Sequence, residues 1–273
     1  MKVGIVQLNS TDNKENNIYK ALKGIESASG DGADFVVLPE YVDFMGMDKE
    51  KNKKAENIPG KTSELFSKEA KKNNIYLNCG SILEKADDQR VYNTSILFNP
   101  KGEIIAKYRK THLFDVYLKN KIIDKESDTV KPGEEIVAAK TKFGGIGLTI
   151  CHDLRYPEIF RSLALKEKVK IICVPAAFPF YTGAFHWEIL LRARAIENQC
   201  YIIAAAQIGK SSPNRECFGN SMIIDPWGTI IAKAKEEETV LVKDIDFNYL
   251  DTIREKAPVF PNRKPNIYKL NHN

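Results

Sequence analysis

Two kinds of apolar pattern alternate along this chain. Short unbroken runs, Val3-Gly4-Ile5-Val6, Phe35-Val36-Val37-Leu38, Ile146-Gly147-Leu148-Thr149 and Ile171-Ile172-Cys173-Val174, have the length and composition of buried strands. Between them lie stretches with helical periodicity. One begins near Asn13, one spans residues 62–72, one follows Pro157 and one runs over residues 186–198. Proline suits a first helical position, where its missing N–H costs nothing. Strands alternating with helices call for parallel pairing, with helices covering one face of each sheet.

The pattern occurs twice. Residues 93–107 resemble residues 219–233, 126 positions later. In each copy an apolar strand meets a four-residue turn, Asn99-Pro100-Lys101-Gly102 or Asp225-Pro226-Trp227-Gly228, and a second strand follows. Proline presets the turn and glycine relieves its exit, so each copy predicts a β-hairpin. Upstream, Phe35-Val36-Val37-Leu38-Pro39-Glu40 parallels Ile171-Ile172-Cys173-Val174-Pro175-Ala176, and Val3-Gly4-Ile5-Val6 parallels Ile146-Gly147-Leu148-Thr149. Each half reads as strand, helix, strand, helix, strand and hairpin. Two such α/β halves predict either a four-layer αββα sandwich with a pseudo-twofold or a doubly wound sheet. Periodicity alone does not separate the two.

Composition narrows the function classes. A chain of 273 residues, 43% hydrophobic, can bury a sizeable core. Its 41 basic and 36 acidic residues give a net +5, spread along the chain rather than gathered on one element, which argues against a nucleic-acid partner. No apolar run approaches the roughly 18 residues of a membrane span, so no membrane partner is expected. The N-terminus enters a strand at once, with no signal-peptide pattern. Five cysteines (Cys79, Cys151, Cys173, Cys200, Cys217) are an odd number, and four sit in or beside apolar runs. They predict free thiols in a reducing, cytoplasmic setting.

The same reading predicts no metal or organic cofactor. The four histidines (His112, His152, His186, His272) show no i, i+4 pairing, and no two cysteines have zinc spacing. The glycine-rich Phe143-Gly144-Gly145-Ile146-Gly147 leads into a strand, whereas a dinucleotide fingerprint follows one and opens a helix.

Three stretches carry the candidate chemistry: Leu38-Pro39-Glu40, Tyr108-Arg109-Lys110 and Ile150-Cys151-His152-Asp153. Together they supply a carboxylate, a lysine and a thiol, each at the end of a strand, where chemistry collects in open α/β sheets. That is a base, a cation for a developing oxyanion and a nucleophile. A lone cysteine is most often a small buried apolar residue, and Cys79, Cys173 and Cys200 read that way. Cys151 differs because the polar His152, Asp153, Arg155 and Tyr156 follow it and Pro157 then opens a helix. A thiol beside a lysine and ahead of a helix is expected to have a lowered pKa. His152 and Asp153 invite a cysteine-protease reading, but adjacent residues diverge and a triad draws its base from elsewhere, with His112 and His186 as remote candidates.

With these motifs the chain resembles the nitrilase (carbon–nitrogen hydrolase) superfamily over essentially its whole length, as a single domain, 1–273. The resemblance places the family's Glu–Lys–Cys triad on Glu40, Lys110 and Cys151, and a second, substrate-positioning carboxylate on Glu126. It also implies the αββα sandwich and a homodimer that continues it as αββα–αββα. Residues 186–201, Asp225-Pro226-Trp227-Gly228-Thr229 and the ending from Arg263-Lys264-Pro265 to Tyr268 look closest to the Nit branch of amidases. That branch implies hydrolysis of a terminal carboxamide of a small anionic metabolite, best deaminated glutathione. The alternatives are an ω-amide such as α-ketoglutaramate, or N-carbamoyl or nitrile hydrolysis on the same triad. An intact triad weighs against a non-catalytic scaffold. His152 stands where relatives usually carry tyrosine, which bears on substrate detail. Such a substrate needs a cation for its distal carboxylate, and Arg155 is the expected group. The stretch 178–183 is expected to be a pocket-lining loop, with Tyr181 and Thr182 offering hydroxyls.

Overall fold

The computed structural model describes residues 1–118, 122–212 and 215–268. His272 lies outside them. In the first half the order is β1 (Lys2–Gln7), α1 (Lys14–Gly30), β2 (Phe35–Val37), α2 (Lys51–Lys54), α3 (Lys61–Asn73), β3 (Tyr76–Asn78), β4 (Ile82–Lys85), β5 (Val91–Phe98) and β6 (Ile104–Arg109). A small hairpin, β7 (Asp115–Leu118) and β8 (Ile122–Lys125), leads to the second half. There follow β9 (Ala138–Thr141), β10 (Gly144–Leu148), α4 (Pro157–Lys166), β11 (Val169–Cys173), α5 (Phe180–Asn198) and β12 (Tyr201–Ala204). A second small hairpin, β13 (Ile208–Ser212) and β14 (Arg215–Phe218), precedes β15 (Met222–Ile224), β16 (Ile230–Lys233), β17 (Thr239–Asp244) and α6 (Phe247–Lys256).

The two halves build matching sheets. Strands β1, β2 and β3 pair in parallel, and so do β10, β11 and β12. Each trio then receives a hairpin through an antiparallel contact, β5–β6 on β3 and β15–β16 on β12. The hairpin turns match in detail. Gly102 N–H donates to the Asn99 carbonyl at 2.8 Å and Gly228 N–H to the Asp225 carbonyl at 2.9 Å. Both glycines have left-handed backbones, with φ of 81° and 87°, a conformation in which a side chain is strained.

One outer strand crosses between halves. Strand β9 lies antiparallel on its neighbour β10 at the edge of the second sheet, while β17, at the end of the second half, returns to lie antiparallel on β1 and edges the first sheet.

Side-chain alternation fixes the layers. From the first sheet Val3, Ile5, Phe35, Val37, Leu97 and Tyr108 share one core with Ile146, Leu148, Ile171 and Cys173 of the second. The opposite face of the first sheet, with Val6, Val36 and Leu77, packs on Ala21, Ile25 and Ala28 of α1 and Phe66 and Ala70 of α3. On the far side of the second sheet, α4 and α5 contribute Leu163, Trp187, Leu191 and Ala195. The molecule is therefore an αββα sandwich, and the doubly wound alternative falls away. Corresponding glycines let each helix layer approach: a Cβ on Gly4 would meet that of Ala28 at 2.8 Å, and one on Gly147 would meet Leu163 Cδ1 at 3.0 Å.

The sequence-predicted helices are present, with one correction. Asn13 caps α1, accepting from Asn16 N–H. The helix expected over residues 186–198 begins earlier, at Phe180, directly after the extended Pro179. Residues 180–183 are thus the first turn of α5 rather than loop; the glycine and aromatic residues there broke the apolar period. Among the described residues no helix is long and apolar enough to cross a membrane.

Candidate active site

The chain leaves β2 through Leu38-Pro39 and presents Glu40, only 1% exposed, at the sheet end. Gly80 packs against the backbone just before it with a φ of 69°, and a Cβ there would lie 1.9 Å from the Pro39 carbonyl oxygen. Three nitrogen donors bond to Glu40. Asn93 Nδ2 (2.8 Å) and Lys110 Nζ (3.0 Å) donate to Oε1, and the Ala177 backbone N–H (2.7 Å) donates to Oε2. One donor comes from the second half, so the base is held across the sandwich interface.

Lys110 follows directly on β6. Its ammonium also donates to Glu126 Oε2 at 2.8 Å. Burial works to lower the Lys110 pKa, but the charges of Glu126 and Glu40 outweigh it and hold the amine protonated, well above its ordinary value. Glu126 is fixed in turn by the Tyr41 hydroxyl at 2.6 Å and the Phe114 N–H at 2.7 Å. Burial works to raise its pKa, yet Lys110, Lys51 and these hydrogen bonds bring it down to about 2. Two carboxylates thus flank a single ammonium.

Cys151 opens the short turn after β10, with a φ of 46° that non-glycine residues seldom adopt. Its N–H donates to the Pro175 carbonyl at 2.8 Å. The thiol departs from the sequence expectation of a lowered pKa. Burial pushes it well above the ordinary cysteine value, and Glu40 adds to this through its charge and a hydrogen bond. Lys110 pulls the other way but is shared between two carboxylates. The resting group is a neutral thiol facing a carboxylate, which suits proton transfer to Glu40 rather than a standing thiolate.

These groups meet in a cavity of about 1080 Å³ lined by Glu40, Lys110, Cys151, Glu126 and Tyr181, among others. Three expected substrate contacts, His152, Arg155 and Thr182, are not in its wall. His152 is buried, its ring edge-on to Phe114 at 5.1 Å, and burial with nearby Lys110 and Arg155 lowers its pKa to about 4. Arg155 lies over the Phe178 ring at 5.1 Å, with Nη1 3.1 Å from His186 Nδ1. The helical first turn carries Thr182 inward, where its hydroxyl meets the Pro179 carbonyl at 3.4 Å.

Residues not singled out in the sequence complete the wall. Lys51, paired with Asp48 at 2.7 Å, and Arg215, paired with Asp124 at 3.0 Å, bring cations to the cavity. Both lie in polar stretches that read as ordinary surface, and only the fold carries them here. Asn93 alone had a visible sequence context, since it begins the repeated hairpin copy.

The chain belongs to the carbon–nitrogen hydrolase family, whose profile matches residues 2–255. A deaminated glutathione amidase of Bos taurus is 39% identical over 97% of this chain and 83% of its own length. An omega-amidase of Xenopus laevis is also 39% identical, over 98% of this chain and 97% of its own. The crystal structure of the Caenorhabditis elegans NitFhit protein superposes with a TM-score of 0.93 at 37% identity, covering 100% of this chain and 67% of that one.

Proposed function

We propose that this chain is an amidase that hydrolyses the terminal carboxamide of a small anionic metabolite to an acid and ammonia, with deaminated glutathione as the best substrate. The observation that carries the reading is the Lys110 ammonium, held 3.0 Å from Glu40 and 2.8 Å from Glu126 in the cavity that Cys151 also lines. Glu40 takes the thiol proton and Cys151 attacks the carboxamide carbon. Lys110 and a backbone N–H just after Cys151 hold the oxyanion, contacts of a kind worth about 3–4 kcal/mol per donor. Glu40 passes its proton to the leaving nitrogen, the C–N bond breaks and a thioester remains. Water, deprotonated by Glu40, attacks the acyl carbon. The C–S bond breaks, the acid leaves, and the proton on Glu40 returns to the sulfur. Glu126 fixes Lys110 and helps position the substrate.

The two named amidase activities among the relatives support the carboxamide. The cavity, about 1080 Å³, lies just above the roughly 300–1,000 Å³ of small-molecule sites, which favours a tripeptide-sized amide over a five-carbon ω-amide such as α-ketoglutaramate. Tyr181 is the proposed substrate contact from the wall, with His152 packed on the lining residue Phe114 and Thr182 on the lining residue Pro179. Cys151→Ala is expected to abolish ammonia release, and retained release would sink the reading. Steady-state rates on deaminated glutathione and α-ketoglutaramate, beside matched N-carbamoyl and nitrile compounds, separate the alternatives.

We further read the chain as a single domain that acts in the cytoplasm as a homodimer. Five free, buried cysteines support a reducing setting. Support for the dimer comes from α5, whose outer face exposes Phe185 (65%), Ile189 (69%) and Ile196 (48%) at helical spacing, beside Trp227. A second copy would cover this row and join two sandwiches through their outer helices. Ile189→Asp should shift the mass seen by light scattering to that of a monomer; an unchanged mass would refute this surface.

A further inference from the structure

The residue two places after the nucleophile has a carboxylate that the mechanism above does not use. Asp153 is fully buried, and a charge so placed persists only if hydrogen bonds replace its lost water. Both oxygens are crowded with partners. Oδ2 accepts from the Ile150 N–H at 2.8 Å and the Tyr108 hydroxyl at 2.7 Å. Oδ1 accepts from the Thr111 hydroxyl and the His112 N–H, each at 3.1 Å, and lies 2.7 Å from His112 Nδ1.

The partners fall into two groups. Ile150 directly precedes Cys151, and the Asp153 N–H donates back to the Ile150 carbonyl at 3.1 Å. This reciprocal pair closes a loop around the nucleophile. Tyr108, Thr111 and His112 flank Lys110 on the other chain segment. One carboxylate therefore ties the turn that carries the thiol to the strand end that carries the ammonium. Cys151 itself has a φ of 46°, and a strained backbone of this kind survives only where its surroundings over-determine it.

We propose that Asp153 is a positioning residue: its buried carboxylate locks the left-handed backbone at Cys151 and sets the thiol's place relative to Lys110. Asparagine at this position keeps the shape, but its NH₂ group confronts donors on whichever side it faces. The turn is then free to relax away from Lys110. A displacement of about 1 Å at a reacting group costs on the order of 100-fold in rate.

The proposal rests on the amidase reading, and its test separates the two. In Asp153→Asn, kcat per Cys151 titrated with iodoacetamide is expected to fall about 10- to 100-fold while KM stays within about threefold. The pH midpoint of Cys151 alkylation, followed by peptide mass spectrometry, is expected to rise, because the thiol loses part of its cation. A merely structural carboxylate would lower Tm and the titratable fraction, leaving kcat per titrated site and the alkylation midpoint unchanged; that result overturns the proposal. If Asp153→Asn does not fold, Tyr108→Phe, which removes one donor to Oδ2, should move both readouts the same way by a smaller factor. No movement there also overturns it. Wild-type protein that releases ammonia from no amide, yet shows the alkylation shift in the variant, would defeat the amidase reading while upholding the clamp.

Discussion

Replacing Glu40 with glutamine keeps the side-chain shape and removes one negative charge from the buried cluster. The carboxylate now accepts from Asn93, Lys110 and the Ala177 N–H. A carboxamide has one acceptor oxygen and one donor nitrogen. Turning its oxygen toward Asn93 and Lys110 sets its NH₂ against the Ala177 N–H. One bond is lost and a buried donor left unsatisfied, at a cost of about 1–3 kcal/mol. For a chain of this length that lowers Tm by about 2–10 °C. Loss of the base should cut kcat by about 10²–10⁴. The thiol should respond in the opposite sense: burial still raises its pKa, but the Glu40 charge and hydrogen bond no longer add to it while Lys110 remains. Cys151 in the variant is therefore a better nucleophile at a given pH and a worse catalyst. The assay pairs ammonia release with the pH profile of iodoacetamide alkylation at Cys151. Turnover should collapse as the alkylation midpoint moves to lower pH. A midpoint that is unchanged or higher, or turnover within tenfold of wild type, refutes the reasoning.

Lys110→Met should leave Glu40 and Glu126 buried without their cation, costing about 3–5 kcal/mol in denaturant unfolding at pH 7 and about 10²–10³ in kcat. The folded Glu126 carboxyl titrates near 2, below its unfolded value of about 4.3. Its contribution is full above the higher figure and fades toward the lower, so the stability gap to the variant should narrow over that range. His152 titrates near 4 when folded against about 6.5 unfolded; the unfolded chain binds the extra proton between these values, so wild-type stability should fall as pH drops through that window. His152→Tyr, which removes the titrating ring, should flatten the fall, as pH-dependent melting would show. Gly80→Ala should destabilise the fold by more than the roughly 1–2 kcal/mol of a left-handed side chain, because its Cβ would strike the Pro39 carbonyl; a melting temperature equal to wild type would contradict the packing described.

Much of the architecture was legible because it is local. The hairpin turns announce themselves through Pro and Gly at fixed places, and the apolar runs give the parallel strands directly. Glu40, Lys110 and Cys151 stood out because each ends an apolar run with polar chemistry. What escaped detection depends on distant pairing. Strand β17 joins β1 across nearly the whole chain, and no local pattern marks which sheet it completes. Lys51 and Arg215 reach the cavity from unremarkable polar stretches. The direction of the thiol shift was misjudged for a similar reason. Sequence shows a lysine near a cysteine, but not that the lysine is already shared by two carboxylates and that the sulfur is buried.

The neutral resting thiol has a consequence for the protein's chemical durability. Peroxides and heavy metals attack the thiolate, and oxidation to sulfinic or sulfonic acid cannot ordinarily be reversed. An enzyme that kept Cys151 permanently ionised would be exposed to such damage between turnovers. Here the negative charge on sulfur arises only as Glu40 withdraws the proton, with an electrophilic carbon there to receive it. Peroxide should therefore inactivate the wild-type protein more slowly than Glu40→Gln at the same pH. The carboxylate that arms the nucleophile also serves as its safety catch.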